Sequence, residues 1–455
     1  LGNRGQIERA LRDAAAGDPV ALGAVTPVAD LCVRNDSEGV SGSSAGPLRV
    51  TCRALIDRAE ATDVSQGRAD VRAALRAING EEVKGLSDAS IAIQRQRQGL
   101  VSSRLQEVRR GGGRGFSADG LSIRQGDNSV SIGQALALGK SLAGMNDTAP
   151  AGGMTLEGLE GWGGFISGNW SREDRKDIGV DRGFDLDGYN VLLGVDREVI
   201  SGLVLGFAFG AANSKLDYLD FDPVADRRGA LTGSIDTDSR SFAAYASAAF
   251  ANGMSLDGSL SYGRFSHRFD RIVDLSGLNR GVFTNRTDVD GSEWIGNLNL
   301  GYPVELKQIA EWTQYITVTK LTPTLGLVYG RVRVDGFTET ENDRDNVWRL
   351  KVPDHSYSQL QAVLSVDVHN SWELIYRDSL LTVDAALQGY VDVLGGSGGD
   401  ATQVLVDWAT FDLSSAGRDR GSFISFKMDD RTQAYGTFEL GVGWSLPGSL
   451  NLRLS

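Results

Sequence analysis

Residues 189–210, YNVLLGVDREVISGLVLGFAFG, contain two stretches in which large apolar side chains occupy every second position. Successive side chains of a β-strand point to opposite faces, so this alternation predicts two strands, and Ser201-Gly202 predicts a tight turn between them. The opposite positions are mostly Gly, Ala, Asn or acidic, which makes that face too small or too polar for a second core. The environment of the large side chains therefore decides the fold. These side chains are Tyr189, Val191, Leu193, Val195, Leu203, Leu205, Phe207 and Phe209.

The composition of the whole chain narrows its class. The 455 residues carry a net charge of −13, which argues against nucleic acid as a partner because nucleic-acid binding needs clustered basic charge. Gly is abundant at 58 residues and Pro is scarce at 9, a combination that suits many closely packed strands better than disorder. No window holds 18 consecutive apolar residues, so no transmembrane helix is expected. Because Leu1 is not an initiator Met, we expect the chain to be part of a longer protein.

The pattern changes along the chain and predicts four regions. Residues 1–82 have helical periodicity, and residues 83–110 continue as a helix without proline. Residues 111–156 are Gly-rich and weakly patterned, which predicts a linker. From 157 to 455 the pattern is that of strands.

Eleven strands are predicted after the linker, connected by short and long segments in alternation. Short connections include Ser201-Gly202 and Pro447-Gly448, whereas long polar ones cover about 215–236 and 268–290. This alternation is typical of an antiparallel up-and-down arrangement. The strands are expected at 162–170, 189–195, 203–209, 242–250, 254–262, 294–302, 321–329, 360–368, 381–391, 438–446 and 450–454.

The large side chains are expected to point at lipid. A soluble sandwich would place a polar, charged surface opposite its apolar faces, whereas here the opposite faces carry the small polar residues of a narrow lumen. Several apolar stripes also begin and end in aromatic residues that are eight positions apart. Eight residues of a tilted strand span about 20 Å of height, close to the apolar band between the aromatic girdles of a membrane barrel. The predicted girdle residues are Trp162, Trp170, Phe242, Phe250, Trp294, Tyr302 and Tyr329.

Several segments resemble the autotransporter β-domain of type V secretion. Residues 163–175, GGFISGNWSREDR, with Gly183-Phe184-Asp185 and the runs 193–197 and 203–207, resemble its first three strands. Residues 321–329 with 335–339 resemble a later part, and residues 74–82 and 101–109 resemble the helical run that precedes the domain. The resemblance covers about 65–455.

The resemblance implies a mainly β protein: a transmembrane antiparallel β-barrel of twelve strands with a helix in its lumen and a helical region before it. Family members end in a strand with a terminal aromatic residue that the assembly machinery recognises. Here the chain stops at Ser455 near the eleventh strand, so we expect the twelfth strand outside this sequence. The implied location is the outer membrane of a Gram-negative bacterium. The implied partners are outer-membrane lipid and lipopolysaccharide, the barrel-assembly machinery, periplasmic chaperones and the protein's own N-terminal passenger.

Cys32 and Cys52 are the two cysteines of the chain, and two thiols alone cannot form a structural zinc site. A disulfide between them would require the oxidising environment that an exported protein meets. Two unrelated buried thiols are the alternative. We predict the disulfide.

No residue pattern in the sequence predicts catalysis, a cofactor or a metal site. His267, His355 and His369 are the three histidines, and no nucleophile motif accompanies them. Some relatives cleave their passenger with an acidic residue and an Asn of the lumen helix. Because residues 86–110 contain no Asn, self-cleavage is not expected.

Charged residues predict how the helix is held in the lumen. By strand parity, Asp196, Glu198, Asp257, Asp367, Asp384 and Glu439 face the lumen, and the first four lie near short turns. We expect Arg104 and Arg109, near the helix C-terminus, to contact Asp196, Glu198, Asp257 and Asp367, since an unpaired charge in a narrow lumen is costly. The alternative is a solvated helix face and unrelated acids. Gly194, Gly206 and Gly210 are expected to make room for the helix backbone.

Together these patterns predict an outer-membrane translocator and anchor that delivers or holds an adhesin-like or filamentous passenger outside the cell. Two alternatives remain at this stage, an outer-membrane solute channel and a membrane-anchored hydrolase.

Overall fold

A helical region precedes a large β-sheet in the computed structural model, which describes residues 4–37, 45–61, 64–108, 115–125, 128–131, 162–175, 183–222, 227–305, 318–340, 348–374, 379–393, 403–408, 424–427, 434–446 and 450–454. The helices are α1 (Arg4–Ala14), α2 (Pro19–Ser37), α3 (Ala45–Ala59), α4 (Val64–Asn79) and α5 (Lys84–Glu107), with a 3₁₀ turn at Glu81–Val83. None of these helices is both long and apolar enough to cross a membrane.

Local signals set the ends of two of the helices. Asp18 caps α2, since its carboxylate accepts a hydrogen bond from the Ala21 backbone N–H at 3.0 Å, and Pro19 occupies the first helical position. Gly80 follows α4 with a φ of 70°, the left-handed conformation that glycine adopts most easily. This turn redirects the chain from the helical region into α5.

The predicted disulfide is confirmed, because Cys32 of α2 and Cys52 of α3 are bonded. Both side chains are buried within the core of the helical region, next to residues such as Leu48 and Leu55. A cross-link between residues 20 positions apart removes chain entropy from the unfolded state and stabilises the region by about 3 kcal/mol.

All eleven predicted strands are present, and each pairs antiparallel with the next along the chain. They are β3 (Trp162–Arg175), β4 (Phe184–Ile200), β5 (Leu203–Asp222), β6 (Arg227–Ala249), β7 (Ser255–Asp274), β8 (Val282–Gly301), β10 (Val318–Val334), β13 (His355–Leu374), β14 (Ser379–Asp392), β17 (Ala434–Leu446) and β18 (Leu450–Leu454).

Seven further strands lie outside this meander. The short strands β9 (Val304–Glu305), β11 (Phe337–Thr338), β12 (Leu350–Val352), β15 (Gln403–Trp408) and β16 (Ile424–Lys427) belong to the connections, and the last four form a separate sheet. The Gly-rich segment, for which a linker is predicted, contains β1 (Gly115–Gln125) and β2 (Asn128–Ser131). β1 pairs parallel with β3, and β2 comes close to β18 at the other end of the main sheet.

The sheet curves around α5. This helix contacts β1, β3, β4, β5, β6, β7, β8 and β10. A single helix can touch so many consecutive strands only if they wrap around it. The predicted helix in the lumen of a β-barrel is therefore confirmed.

Strands β4, β5, β6, β7, β8 and β10 exchange their apolar face part-way along their length, and β7 shows this most clearly. Between Ser255 and Gly263 its outward positions are apolar, for example Leu260, and its inward positions are small or polar. Beyond Tyr262 the outward positions become polar, and the inward ones become large and buried, such as Phe265 and Phe269. The strand therefore leaves lipid and enters water near Tyr262.

This exchange explains why the long loops were predicted too long. Residues 215–236 and 268–290 are largely strand, because β5, β6, β7 and β8 continue past the lipid band and remain paired. In these extensions the apolar residues lie on the inward face. The outward face, which is apolar within the lipid band, is polar there and therefore reads as a loop. The connections themselves are short, such as the segment 275–281 between β7 and β8.

The inward apolar residues above the lipid band bind the helical region. Leu216, Ile235 and Phe269 belong to the same buried cluster as Leu75 of α4 and Leu86 of α5. The helices therefore cover the end of the sheet opposite the turn Ser201-Gly202, and one core joins the two parts.

The face exchange predicts opposite outcomes for two substitutions on the outward face of β7. Leu260→Arg should destabilise the protein folded in a bilayer by about 2–4 kcal/mol, because it places a charge in lipid. Ser266→Arg, above Tyr262, should cost less than about 1 kcal/mol. Urea-dependent refolding into lipid vesicles, followed by heat-modifiable migration on gels, measures both. Equal losses would show that lipid does not end at Tyr262.

Candidate functional site

The lumen around α5 is the candidate functional site, and Arg104 is bound most completely. Its guanidinium group donates to both carboxylate oxygens of Asp196 of β4, at 2.9 Å (Nε) and 3.1 Å (Nη2). The Tyr245 hydroxyl of β6 donates to the same carboxylate at 2.7 Å, and the Phe165 ring of β3 lies 4.8 Å from the guanidinium carbon. Both charged side chains are almost fully buried. This is a complete bidentate pair within a low-dielectric environment.

A second buried arginine, Arg97, lies seven positions earlier on the same helix face. It forms an ion pair with Glu293 of β8 and donates to the Ser239 hydroxyl of β6 at 2.9 Å. Glu293 is not among the acids predicted from the sequence to face the lumen, most of which lie near short turns. Its position directly before the outward Trp294 was a usable signal, since neighbouring strand residues face opposite sides.

Ser90 lies a further seven positions earlier and contacts His267 of β7, which also contacts Thr237 of β6. Ser90 Oγ lies 3.0 Å from His267 Nε2, and Thr237 Oγ1 lies 2.7 Å from His267 Nδ1. The Ser90 hydroxyl donates to the Leu86 carbonyl at 2.9 Å, so its proton is directed away from the imidazole. All three side chains are buried. This arrangement satisfies buried polar atoms and does not resemble an activated nucleophile.

The other predicted lumen residues have different positions. Glu198 accepts a hydrogen bond from the Gly202 backbone N–H at 3.1 Å, in the turn after β4. Asp257 accepts one from the Ser247 hydroxyl at 2.6 Å, across β6 and β7. Asp367 is half-buried on β13. Arg109 lies outside the described residues, as do the side chains of Asp384 and Glu439.

The three inward glycines make room for side chains, and the expectation that they admit the helix backbone was wrong. Gly210 leaves space for the Ser241 hydroxyl and the Arg97 side chain of α5, and the other two leave space for aromatic rings. A Cβ atom added to Gly194 would meet the Phe165 ring, and one added to Gly206 would meet the Tyr245 ring. These rings form a small apolar cluster with Leu105 of α5. The space beside these glycines is therefore filled by side chains.

A third buried ion pair joins the helical region to the strands above the lipid band. Arg271 of β7 donates to both carboxylate oxygens of Glu339, at 2.8 and 2.7 Å, and to the Ala77 carbonyl at the end of α4, at 2.9 Å. Asn285 of β8 donates to Glu339 at 2.9 Å. We call Arg271, Glu339, Asn285 and the Ala77 carbonyl the helix clamp.

The predicted girdle residues lie on the outward face. Trp162, Phe242, Phe250, Trp294, Tyr302 and Tyr329 are exposed, and Trp170 is half-buried. The ring centroids of Tyr262 and Trp294 are 4.8 Å apart on neighbouring strands. At the opposite boundary, the Arg197 guanidinium lies 5.3 Å from the centre of the Trp162 ring. Aromatic residues of this kind occupy both edges of a lipid-facing band.

The remaining face of α5 is exposed. Arg95, Gly99 and Ser103 share this face, and a cavity beside it is lined by Gln98, Gln359 and other residues of β8, β10 and β13. Across the described ranges, no group of three or more His, Cys, Asp or Glu side chains could hold a metal ion.

Comparison with known proteins identifies the family. The Autotransporter beta-domain family matches residues 164–453, which is more than half of the chain. The chain belongs to the autotransporter β-domain family. It is therefore an outer-membrane translocator and anchor for a surface passenger, located in the outer membrane of a Gram-negative bacterium. Short turns of outer-membrane barrels face the periplasm, so the end that the helical region covers, opposite the turn Ser201-Gly202, faces the outside of the cell.

Individual relatives are more distant. The uncharacterized protein YaiT of Salmonella typhimurium is 30% identical over 217 residues, which are 45% of this chain and 17% of the relative. Esterase EstA of Pseudomonas aeruginosa is 26% identical over 182 residues, which are 39% of this chain and 24% of the relative. The matched part of the chain thus spans about a quarter or less of the length of these curated relatives.

Solved autotransporter structures are also similar to the chain. The translocator domain of NalP from Neisseria meningitidis has a TM-score of 0.40 and 15% identity, covering 69% of this chain and 84% of that one. The transport unit of AIDA-I from Escherichia coli has a TM-score of 0.36 and 15% identity, covering 69% of this chain and 86% of that one.

We expect Arg104→Asp to open the lumen, because it places two carboxylates together where burial makes unpaired charge cost about 3–5 kcal/mol. Asp196→Arg should have the same effect, and the double exchange should restore part of the closed state. The steady conductance of the purified chain in planar bilayers measures each variant. Arg95→Asp, on the exposed face of α5, is the control with the same charge change and should leave the conductance low. An unchanged conductance in both single variants would exclude the pair as a plug contact.

The helix clamp gives a second prediction. Arg271→Met leaves Glu339 buried without its cation and should destabilise the docked helical region by about 3–5 kcal/mol, whereas adding Glu339→Leu should recover most of this loss. Limited proteolysis of the folded protein reports the docking. Arg286→Met, which removes an exposed partner of Asp270, is the control and should change little. Equal protease sensitivity of all three variants would argue against the clamp.

Proposed function

We propose that this chain holds its passenger permanently at the cell surface, and that the passenger is adhesin-like or filamentous. The observation that carries the proposal is the Arg104–Asp196 pair, through which the helix leading out to the passenger is bonded to the barrel wall. Arg97 with Glu293 adds a second bonded position. A passenger connected through this helix stays attached as long as the helix stays in place.

Charge explains why α5 would stay. Pulling the helix out of the lumen separates Arg104 and Arg97 from their carboxylates while these are still surrounded by low-dielectric walls. Breaking a buried ion pair costs about 3–5 kcal/mol, and the two pairs must break together because both arginines move with one rigid helix. The helix is thus a stable plug and a mechanical anchor.

The helical region α1–α4 would serve as the foundation on which the passenger stands. Its core is continuous with the inward apolar residues of the strands, and the helix clamp bonds the end of α4 to β7. The disulfide between α2 and α3 prevents these two helices from separating at the surface. Force applied to a passenger therefore reaches the barrel through covalent and buried contacts.

Biogenesis factors are part of the proposal. Before insertion, the outward face of each strand exposes a row of apolar residues to water, such as Leu205, Phe207 and Phe209 of β5. Segments of this kind aggregate unless they are bound. We infer that periplasmic chaperones and the barrel-assembly machinery bind these strands during export, and that lipid and lipopolysaccharide replace them afterwards.

Two other functions remain as alternatives with distinct signatures. A solute channel would need an open pore, so a large, steady conductance of the intact chain would favour it. A hydrolase activity would belong to a catalytic passenger, and the similarity to Esterase EstA is the observation that favours this alternative. For the residues of this chain we propose no catalytic step, since the Ser90–His267 contact is buried and directed away from nucleophilic chemistry.

The anchor proposal predicts the fate of a reporter. A small folded reporter fused before Leu1 and exported in a Gram-negative host should be removed by protease added to intact cells, while β3 to β18 stay protected. Before protease is added, the reporter should sediment with the cells, because the intact helix holds it. Release of the reporter into the medium by cleavage within the chain would contradict permanent anchoring, and protection from protease would contradict surface display.

A further inference from the structure

Two arginines lie directly opposite each other on the outward face of the barrel. Arg240 of β6 and Arg264 of β7 are cross-strand partners, and both side chains are exposed. Like charges at directly opposed positions of an antiparallel pair destabilise the sheet. This juxtaposition is unfavourable in the protein by itself, and an anion between the two guanidinium groups would remove the cost.

The pair lies at the edge of the lipid band. Arg240 and Arg264 are each two positions beyond an aromatic residue of the outward face, Phe242 and Tyr262, which is a step of about 7 Å along the strand. Arg264 Nε donates to the Tyr262 hydroxyl at 3.1 Å, so its guanidinium group is held next to the aromatic row. Arg331 of β10 is the cross-strand partner of Trp294 and adds a third exposed cation at the same edge.

Nearby arginines are bound by acids of the protein, whereas these three are not. Arg286 pairs with Asp270 at 2.7 Å, and Arg333 pairs with Asp354 at 3.1 Å. Within the part of the chain that the structure describes, no carboxylate lies within 4.0 Å of the guanidinium groups of Arg240, Arg264 or Arg331. Arg286, further along the strand from the lipid band, and Arg333, which pairs with Ser292 in the same row as Arg264, are thus neutralised internally, whereas Arg240, Arg264 and Arg331 are not.

On the β4–β5 side, the described strands show that the basic patch ends at β6. At the level of Arg240 and Arg264, the cross-strand partners on β5 and β4 are the uncharged Ala211 and Val191. A ring of positive charge around the barrel would suit a general attraction to an anionic surface. A single sector suits a discrete anionic headgroup.

We propose that Arg240, Arg264 and Arg331, with Tyr262 and Trp294, bind the phosphate groups of a glycolipid in the outer leaflet of the outer membrane. The inference rests on the outer-membrane placement given above and adds a defined site. Two observations support the proposal. The patch lies at the edge of the lipid band, where lipid headgroups are found, and it carries unneutralised positive charge. A phosphate accepts charge-assisted hydrogen bonds from two guanidinium groups at once, while Trp294 and Phe242 contact the acyl chains below.

Native mass spectrometry of the detergent-purified chain tests the site, with bisphosphorylated lipid A and fully dephosphorylated lipid A as probes. Arg240→Gln with Arg264→Gln should weaken retention of the bisphosphorylated probe about tenfold or more, because it removes charge-assisted contacts. The matched control, Arg268→Gln with Arg286→Gln, removes the same charge from cations paired with Asp288 and Asp270 and should stay within about twofold of the unmodified chain.

Three results would overturn the proposal: undiminished retention in the first double variant, equal loss in the control, or equal binding of the dephosphorylated probe. If the unmodified chain were a dimer and the first double variant a monomer that still retained lipid A, the patch would be a contact between two copies of the chain. That result would also overturn the proposal. Heat-modifiable migration shows that each variant is folded. If the unmodified chain failed to fold in membranes or to display a reporter, the anchor function would fail; normal folding and display without lipid A retention would remove this inference alone.

Discussion

Strands β4 to β8 and β10 each pass through two solvents, and this constraint determines most of the architecture. In lipid, the outward side chains must be apolar and every backbone group must be paired within the sheet. In water, the same outward positions must be polar, so the apolar residues move to the inward face. β7 changes over between Tyr262 and Phe265 without any break in its hydrogen bonding. The inward face above that level needs a cover, and the helical region supplies it.

Inside the lipid band, the lumen has the opposite requirement. Arg97 and Arg104 of α5 are buried there, so each of these charges has to meet a partner from the wall. Asp196 and Glu293 supply the carboxylates, and Tyr245 and Ser239 of β6 supply hydroxyls. The glycines of β4 and β5 leave space for the rings that surround these pairs. The polar groups of the lumen are therefore matched to one helix, which distinguishes it from the lining of an open pore.

The sequence predicted the parts of this structure that depend on periodicity. The eleven strands, the outward apolar face and the disulfide follow from local pattern or residue chemistry, and the helix in the lumen follows from the resemblance to the autotransporter β-domain. The extensions of the strands could not be found in the same way, because their apolar residues have the opposite parity and are recognisable only once a helical cover is known. Glu293 and Arg271 were missed for a related reason: their partners lie about 200 and 70 positions away, and no local pattern encodes such pairings.

The spacing of the polar contacts along α5 shows what they contribute. Ser90, Arg97 and Arg104 are seven residues apart, about 10 Å per interval along the axis, and therefore lie on one helix face. Arg97 contacts Ser239 of β6 directly. Ser90 is linked to β6 through His267, which contacts Thr237, and Arg104 is linked to it through Asp196, which accepts from Tyr245. A single contact would fix the depth of the helix and leave its rotation free, whereas three on one face fix both. Buried ion pairs add little net stability compared with apolar packing, but a misplaced one is costly. Their effect here is to make one position of the helix much more favourable than any position shifted by a turn.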